Sequence, residues 1–182
     1  MKTILETERL RLRELVPEDI EFLSEMLSNA EVMRYYPRRL TRELSSEWIE
    51  RQIARYMTDG YGLWLAEQRS GPEQGQPIGQ IGLVKQIVNG AEECEVGYLL
   101  HRRFWRHGFA TEAALACRDY AFKTLRRPRV ISLVRPENAA SQAVARRLGM
   151  EVVGSAPHGG VQHLVFAVSN PEPGTSHPAP RT

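Results

Sequence analysis

The stretch RFWRHGFATEA, residues 103–113, joins two segments that have different hydrophobic periods. The segment before it, EVGYLL at residues 95–100, is typical of a strand. Between residues 110 and 125 alanine, cysteine and leucine recur at helical spacing, and β-branched residues at 129–135 indicate another strand. This order predicts a strand–helix–strand crossover, a right-handed connection that requires a parallel pair of strands in the sheet.

The rest of the chain predicts antiparallel strands and helices around this crossover. Residues 61–100 contain two or three apolar segments separated by turn residues, and Asn89-Gly90 is a strong signal for a tight turn. The other predicted elements are a strand at Leu10 and Leu12, helices from Pro17 and over Thr41–Met57, a helix over Pro136–Met150, and strands over Glu151–Gly154 and Val161–Val168. We therefore expect one α/β domain of the mixed α+β type over residues 1–170, with a mixed sheet and flanking helices.

Composition limits the classes of function. A chain of 182 residues with 42% hydrophobic and 25% charged side chains is an ordinary soluble domain, and a net charge of +2 gives no general attraction to nucleic acid or to a membrane. No signal peptide and no apolar run of roughly 20 residues is found, which favours a cytoplasmic protein. Cys94 and Cys117 lack the spacing of a zinc site, so no metal is expected. Residues 171–182, with four prolines, are predicted to be a disordered tail.

The stretch that begins the central helix has the composition of an anion site. Amides in the first turn of a helix lack intrahelical partners, and the small residues Gly108 and Ala110 would let a phosphate approach them closely. The nearby cations are Arg102, Arg103, Arg106 and His107. The chain lacks the GKS or GKT of a nucleotide-hydrolysing loop and the GxGxxG of a dinucleotide fold, which leaves a diphosphate that needs no metal. A plain turn with solvated arginines accounts for the stretch equally well.

A family resemblance favours the anion site. Residues 105–113, WRHGFATEA, resemble the acetyl-coenzyme A pyrophosphate motif of the GNAT acetyltransferases, Q/R-x-x-G-x-G/A, and the RimJ/RimL-like branch in particular. Four further segments agree in order: TERLRLREL, EVMRYYP, EVGYLL and RPENAASQAVARRLGM. The resemblance implies a GNAT fold, a twisted and mostly antiparallel sheet whose central parallel strands, here 92–100 and 129–135, splay apart to admit the pantetheine arm.

The resemblance also implies a set of residues that bind acetyl-coenzyme A. The pantetheine arm would lie on the backbone of Tyr98, Leu99 and Leu100, and the pyrophosphate on the amides of Arg106, His107, Gly108, Phe109, Ala110 and Thr111. Asn138 matches the family's coenzyme-contacting asparagine, although a helix N-cap is an equally simple role for it. The chain departs from the family in Arg106 and His107, which replace a Gly-Gln or Gly-Lys pair, and in having no tyrosine after Tyr120.

Catalysis requires a neutral amine and a proton for the departing thiolate. Glu95 is the candidate general base, acting directly or through water, and an exposed structural carboxylate is the alternative. Ser141, a water molecule or the proton of the amine itself would protonate the sulfur, and a backbone amide near Leu99 would stabilise the oxyanion. Glu92, Glu93 and Glu95 together would attract a cationic acceptor.

The sequence thus predicts an acetyl-coenzyme A-dependent N-acetyltransferase. The acceptor would be a primary amine, either a protein N-terminal α-amine or a small molecule such as an aminosugar or a polyamine. The alternative is a non-catalytic acyl-coenzyme A sensor or a partner-binding module with the same fold, which the missing downstream tyrosine keeps open. Edge strands make a homodimer plausible.

Overall fold

A computed structural model describes residues 2–171, so that the predicted tail, apart from Pro171, lies outside the described residues. Its strands are β1 (Thr3–Glu6), β2 (Leu10–Arg13), β3 (Leu63–Gln68), β4 (Pro77–Val88), β5 (Ala91–Leu100), β6 (Arg129–Val134), β7 (Glu151–His158) and β8 (Val161–Ser169). Its helices are α1 (Ile20–Ser28), α2 (Arg42–Thr58), α3 (Phe109–Lys123) and α4 (Ala139–Arg147). No helix within residues 2–171 is both long and apolar enough to cross a membrane.

The strands form one sheet in the order β1-β2-β3-β4-β5-β6-β8-β7. Each neighbouring pair is antiparallel except β5 and β6, which run parallel and pair at Glu95 and Ile131. The predicted mixed, mostly antiparallel sheet and its α3 crossover are confirmed. Asn89 and Gly90, with φ of 49° and 83°, form the predicted tight turn between β4 and β5.

Helices cover both faces of the sheet. On one face α3 packs through the fully buried small residues Ala113, Ala114, Cys117 and Ala121, whose size lets the helix lie close to the strands. On the other face α1 and α2 bury apolar residues such as Leu23 and Ile49 against Leu65 of β3. The gap between β5 and β6 lies between these two layers.

Two predicted boundaries differ from the structure for local reasons. The fourth helix begins at Ala139 rather than Pro136 because the Asn138 side chain caps it, accepting a hydrogen bond from the Ser141 amide at 3.1 Å. The strand predicted to end at Gly154 continues to His158, since β7 stays paired with β8 up to the turn at Gly159 and Gly160.

Candidate active site

The opening between β5 and β6 is the centre of the candidate site. The two strands pair at Glu95 and Ile131, and the Ser132 hydroxyl donates a hydrogen bond to the Val96 carbonyl at 2.8 Å. Beyond these residues the described parts of the two strands do not pair, and a cavity of about 210 Å³ lies between them. The predicted separation of the central strands is therefore present.

The direction of the backbone along β5 decides which groups face this opening. The His101 amide donates to the Ile78 carbonyl of β4 at 2.9 Å, and alternate residues of a strand direct their backbone groups to the same side. Leu99 therefore directs its amide and carbonyl toward β4, whereas those of Tyr98 and Leu100 face the open edge. The predicted backbone contact of Leu99 is revised accordingly, because its amide and carbonyl are directed to the paired strand β4.

Trp105 occupies part of the open edge. Its indole Nε1 donates a hydrogen bond to the Leu100 carbonyl at 2.9 Å, so the tryptophan of the motif holds the end of β5. The amide and carbonyl of Tyr98 and the amide of Leu100 have no strand partner on this side within residues 2–171. These groups are available to the amides of a pantetheine arm.

The loop before α3 presents a row of amides without acceptors. Gly108 is the N-cap of the helix and has a φ of 82°, and Arg106 has a φ of 67°, so the chain turns twice through the left-handed region. In the described part of the chain, the amides of residues 106–111 have no hydrogen-bond acceptor. They lie at the positive end of the helix dipole, which suits a diphosphate. The side chains of Arg106 and His107 are exposed.

Arg9, which was not among the predicted site residues, braces this loop. Its Nη1 donates to the His107 carbonyl at 3.0 Å and its Nε to the Glu112 carboxylate at 2.6 Å, while its guanidinium lies 4.6 Å from the centre of the Phe109 ring. The Thr7 hydroxyl donates to the same carboxylate at 2.5 Å. The TERL segment is thus joined to the loop, and its place in the family resemblance was the only sequence signal for this contact.

Glu112 places a carboxylate in the first turn of α3, close to the free amides. Burial works to raise its pKa and is the largest single influence, but hydrogen bonds from Thr7 and Arg9 outweigh it, so the pKa of Glu112 is lowered. The carboxylate therefore stays charged, and Arg9 compensates its charge.

Asn138 and Ser141 border the cavity from α4. Asn138 performs the N-cap role and also lines the cavity, so the two roles proposed for it are compatible. Ser141 lines the cavity, and its backbone carbonyl accepts a hydrogen bond from the Tyr98 hydroxyl at 2.8 Å. Burial, and next the charge of Glu95, raise the pKa of Tyr98, so this hydroxyl keeps its proton.

Glu95 lies in the cavity where the strands part. Its carboxylate accepts hydrogen bonds from the Gln86 side chain at 2.7 Å and from the Leu133 amide at 3.4 Å. Burial raises the pKa of Glu95 despite these bonds. The other two acids of the predicted cluster are engaged elsewhere: Glu92 pairs with an arginine at 3.3 Å and Glu93 is buried against another.

Other parts of the cavity wall are formed by residues that were not among the predicted site residues. Tyr35 and Tyr36 come from the loop between α1 and α2, and His158 and His163 from the β7–β8 hairpin. The Tyr35 hydroxyl donates to the Glu137 carbonyl at 3.2 Å, which links the loop to the start of α4. The loop therefore lines the cavity and is also linked to the segment before α4.

Tyr36 reaches toward Glu95. Desolvation, followed by the charge of Glu95, raises the pKa of Tyr36 to about 12. The residue as a whole is 38% exposed, so this shift concerns the hydroxyl end that lies in the cavity. A second phenol thus faces the candidate base from the side opposite α3.

The cavity thus opens between the separated strands β5 and β6, beside the N-terminal end of α3. Residues 9–151 match the family described as the GNAT acetyltransferase domain. The protein therefore belongs to the GNAT acetyltransferases and is an acetyl-coenzyme A-dependent enzyme, which confirms the sequence resemblance.

Similar proteins come from several bacteria. The YkkB protein of Bacillus subtilis is 36% identical over 150 residues, which are 82% of this chain and 86% of that protein. The spermidine N(1)-acetyltransferase of Escherichia coli is 27% identical over 155 residues, 82% of this chain and 76% of that enzyme. A crystal structure of an acetyltransferase from Agrobacterium tumefaciens is 32% identical with a TM-score of 0.77 and covers 92% of this chain and 94% of that one. The fold is also that of a RimL ribosomal L7/L12 alpha-N-protein acetyltransferase solved with coenzyme A, at 18% identity and a TM-score of 0.74, covering 92% of this chain and 98% of that one.

Proposed function

We propose that the protein transfers the acetyl group of acetyl-coenzyme A to a primary amine, of a small molecule or of a protein N-terminus, by direct attack of the amine on the thioester. The observation that carries the proposal is the place of Glu95, a carboxylate in the cavity at the parting of β5 and β6 whose pKa is raised by burial. A base of raised pKa accepts the proton of an ammonium group more readily than an ordinary glutamate does.

The residues present fit the coenzyme. When bound, acetyl-coenzyme A supplies the thioester. The free amides of residues 106–111 would bind its diphosphate, and Gly108 leaves them uncovered because it has no side chain. The open edge at Tyr98 and Leu100 would pair with the pantetheine amides, with Asn138 at the start of α4 beside it.

The chemistry then rests on groups around the cavity. Glu95 takes the proton of the amine, directly or through water, and the amine nitrogen bonds to the acyl carbon as the carbon–sulfur bond breaks. Amides at the open edge of β5, rather than that of Leu99, stabilise the developing oxyanion. The thiolate receives a proton from Ser141 or from a water molecule held near it, and Tyr98 adds a second hydroxyl on that side.

Relatives support an amine acceptor without choosing one. The similar proteins include an enzyme named for spermidine and a fold neighbour named for a ribosomal protein N-terminus. We include a homodimer in the proposal, because β7 lies at an edge of the sheet and exposes 48% of Val152 and 59% of Val153.

The test is release of free thiol from acetyl-coenzyme A with a broad panel of primary amines. Gly108→Trp should prevent coenzyme binding. Gly90→Trp is the matched control, because the φ of Gly90, 83°, is within a degree of that of Gly108. Apart from its chain neighbours, no atom of the described residues lies within 4 Å of a Cβ added at Gly90. Normal coenzyme binding by Gly108→Trp would contradict the site. Coenzyme binding with background thiol release for the whole panel would instead indicate a non-catalytic acyl-coenzyme A-binding protein.

A further inference from the structure

Two groups of opposite fixed charge line the cavity. Among the described residues that border it, Glu95 is the carboxylate and Arg135 is the guanidinium, and the remaining ionisable groups are histidines and tyrosines. The cavity therefore differs from the acidic surface that three neighbouring glutamates suggest in the sequence, since two of those three are bound by arginines outside it. An acceptor that complements this cavity must satisfy a positive group as well as a negative one.

Arg135 has donor capacity that the protein does not use. Its Nε is buried and makes no hydrogen bond within the described residues. The nearest acid is Glu137, whose carboxylate lies 3.4 Å from that nitrogen without forming a hydrogen bond and whose side chain is 63% exposed. A pair with so solvated a partner is weak, and a buried donor without an acceptor is costly. A ligand that brings an acceptor oxygen would therefore be favoured here.

The strand geometry places Arg135 and Glu95 at a distance that one small molecule can span. Glu95 accepts from the Leu133 amide, and Arg135 follows two positions later, directly after the end of β6, and lines the same cavity. Two residues of extended chain cover roughly 6–7 Å. An amine held at Glu95 and an oxygen acid held at Arg135 would thus belong to one compact ligand.

The charge of Arg135 also disfavours polyamines. A second ammonium group of a polyamine would approach the guanidinium, and like charges in a partly desolvated cavity repel each other. A peptide N-terminus carries no carboxylate near its amine unless one of its first two side chains is acidic. A free amino acid, by contrast, has an amine and a carboxylate separated by a single carbon.

We propose that the acceptor is a carboxylate-bearing primary amine of the amino acid class, with Glu95 receiving the amine and Arg135 binding the carboxylate. The proposal rests on the acetyltransferase function proposed above and names its substrate class. Arg135 is a specificity residue in this proposal, since its planar guanidinium can hold both carboxylate oxygens at once.

The experiment compares three forms of one acceptor by thiol release: an amino acid, its carboxamide and its decarboxylated amine. Since the carboxamide has the more readily deprotonated amine, chemistry alone favours it over the amino acid. We expect kcat/KM to be at least about tenfold higher for the amino acid, because the carboxamide offers the guanidinium one neutral acceptor oxygen and the decarboxylated amine leaves the buried Nε unpaired. In Arg135→Gln the ratio of kcat/KM for the amino acid to that for the carboxamide should fall to one or below, since the carboxamide has the more readily deprotonated amine. Arg135→Lys should be intermediate, because a lysine keeps the charge without the paired donors.

Glu137→Gln is the matched variant. It removes the acid beside Arg135, so kcat/KM for the amino acid should rise about two- to fivefold while that for the decarboxylated amine stays unchanged. Coenzyme affinity should be the same in all variants, as measured by calorimetry.

Three results would overturn the proposal: a wild-type preference for the decarboxylated amine, an unchanged ratio in Arg135→Gln, or a loss of coenzyme affinity in that variant. Acetylation of polyamines at the same rate by wild type and by Arg135→Gln would rule out the amino acid class of acceptor and leave the acetyltransferase function intact. Background rates with every acceptor would instead contradict the function itself.

Discussion

Replacing Glu95 by glutamine should impair catalysis and stabilise the fold at neutral pH. Glu95 is half-buried at the cavity, and its carboxylate accepts hydrogen bonds from Gln86 and from the Leu133 amide. Glutamine has nearly the same shape, keeps one acceptor oxygen and cannot take a proton. The side-chain amide of Gln86 can rotate to present its oxygen to the new amide group.

The loss of activity follows from the role of the base. A positioned general base contributes about 10²- to 10⁴-fold to such reactions, and because water can partly replace it we expect kcat to fall about 10²- to 10³-fold. In the wild type, kcat/KM should rise with pH as Glu95 loses its proton, at a pH above the ordinary glutamate range because burial raises its pKa. In the variant the rise should instead follow the pKa of the acceptor amine.

The stability effect has the opposite sign. Because the pKa of Glu95 is higher in the folded protein than in the unfolded chain, the folded state binds the proton more tightly. Proton binding at Glu95 therefore contributes to the free energy of unfolding. This contribution is present in full below the pKa of the unfolded chain and is lost as the pH rises through the pKa of the folded protein. The loss is about 1.4 kcal/mol for each unit by which folding raises the pKa. The variant has no such loss, so its free energy of unfolding relative to wild type should be higher at pH 8 than at pH 4.

Urea unfolding at both pH values and thiol-release kinetics measure the two effects on one variant. Glu93→Gln is the matched control from the same strand: Glu93 is buried but pairs with Arg129 away from the cavity. It should keep kcat within about threefold and lose about 1–2 kcal/mol of stability, since Arg129 can be solvated. Wild-type kcat in Glu95→Gln would refute the base, and equal relative stability at the two pH values would refute the burial argument.

Two further predictions concern the coenzyme loop. Arg9→Ala should raise the Kd for coenzyme A about five- to tenfold, because it removes the hydrogen bond to the His107 carbonyl and leaves the charge of Glu112 uncompensated near the diphosphate. Adding Glu112→Gln to this variant should restore most of the affinity. Calorimetry measures both effects. No recovery in the double variant would show that the charge of Glu112 is irrelevant. Arg106→Ala should raise that Kd less than about threefold, because the side chain is exposed and the backbone amides carry the contact; a tenfold loss would assign the binding to the side chain.

The loop before α3, where we propose that the coenzyme binds, was predictable because its residues are close in sequence. A strand, a glycine in the left-handed region and the first turn of α3 follow one another within residues 95–111, so their chemistry can be deduced from local pattern. The separation of β5 from β6 was expected from the family resemblance alone, since no local pattern records which strands fail to pair. The brace from Arg9 joins residues about a hundred positions apart and left no periodic signal.

The acceptor half could not be predicted, and its charge shows why. Glu92, Glu93 and Glu95 form one acidic run in the sequence, which favours a cationic acceptor if all three face a ligand. In the fold Arg127 and Arg129 bind the first two, and only Glu95 remains in the cavity. The cation that lines the same cavity, Arg135, follows the end of β6 at Val134, and other parts of the wall come from distant loops. Which charges meet the substrate is set by partners that sequence proximity does not show, so the acceptor has to be inferred from the cavity and tested there.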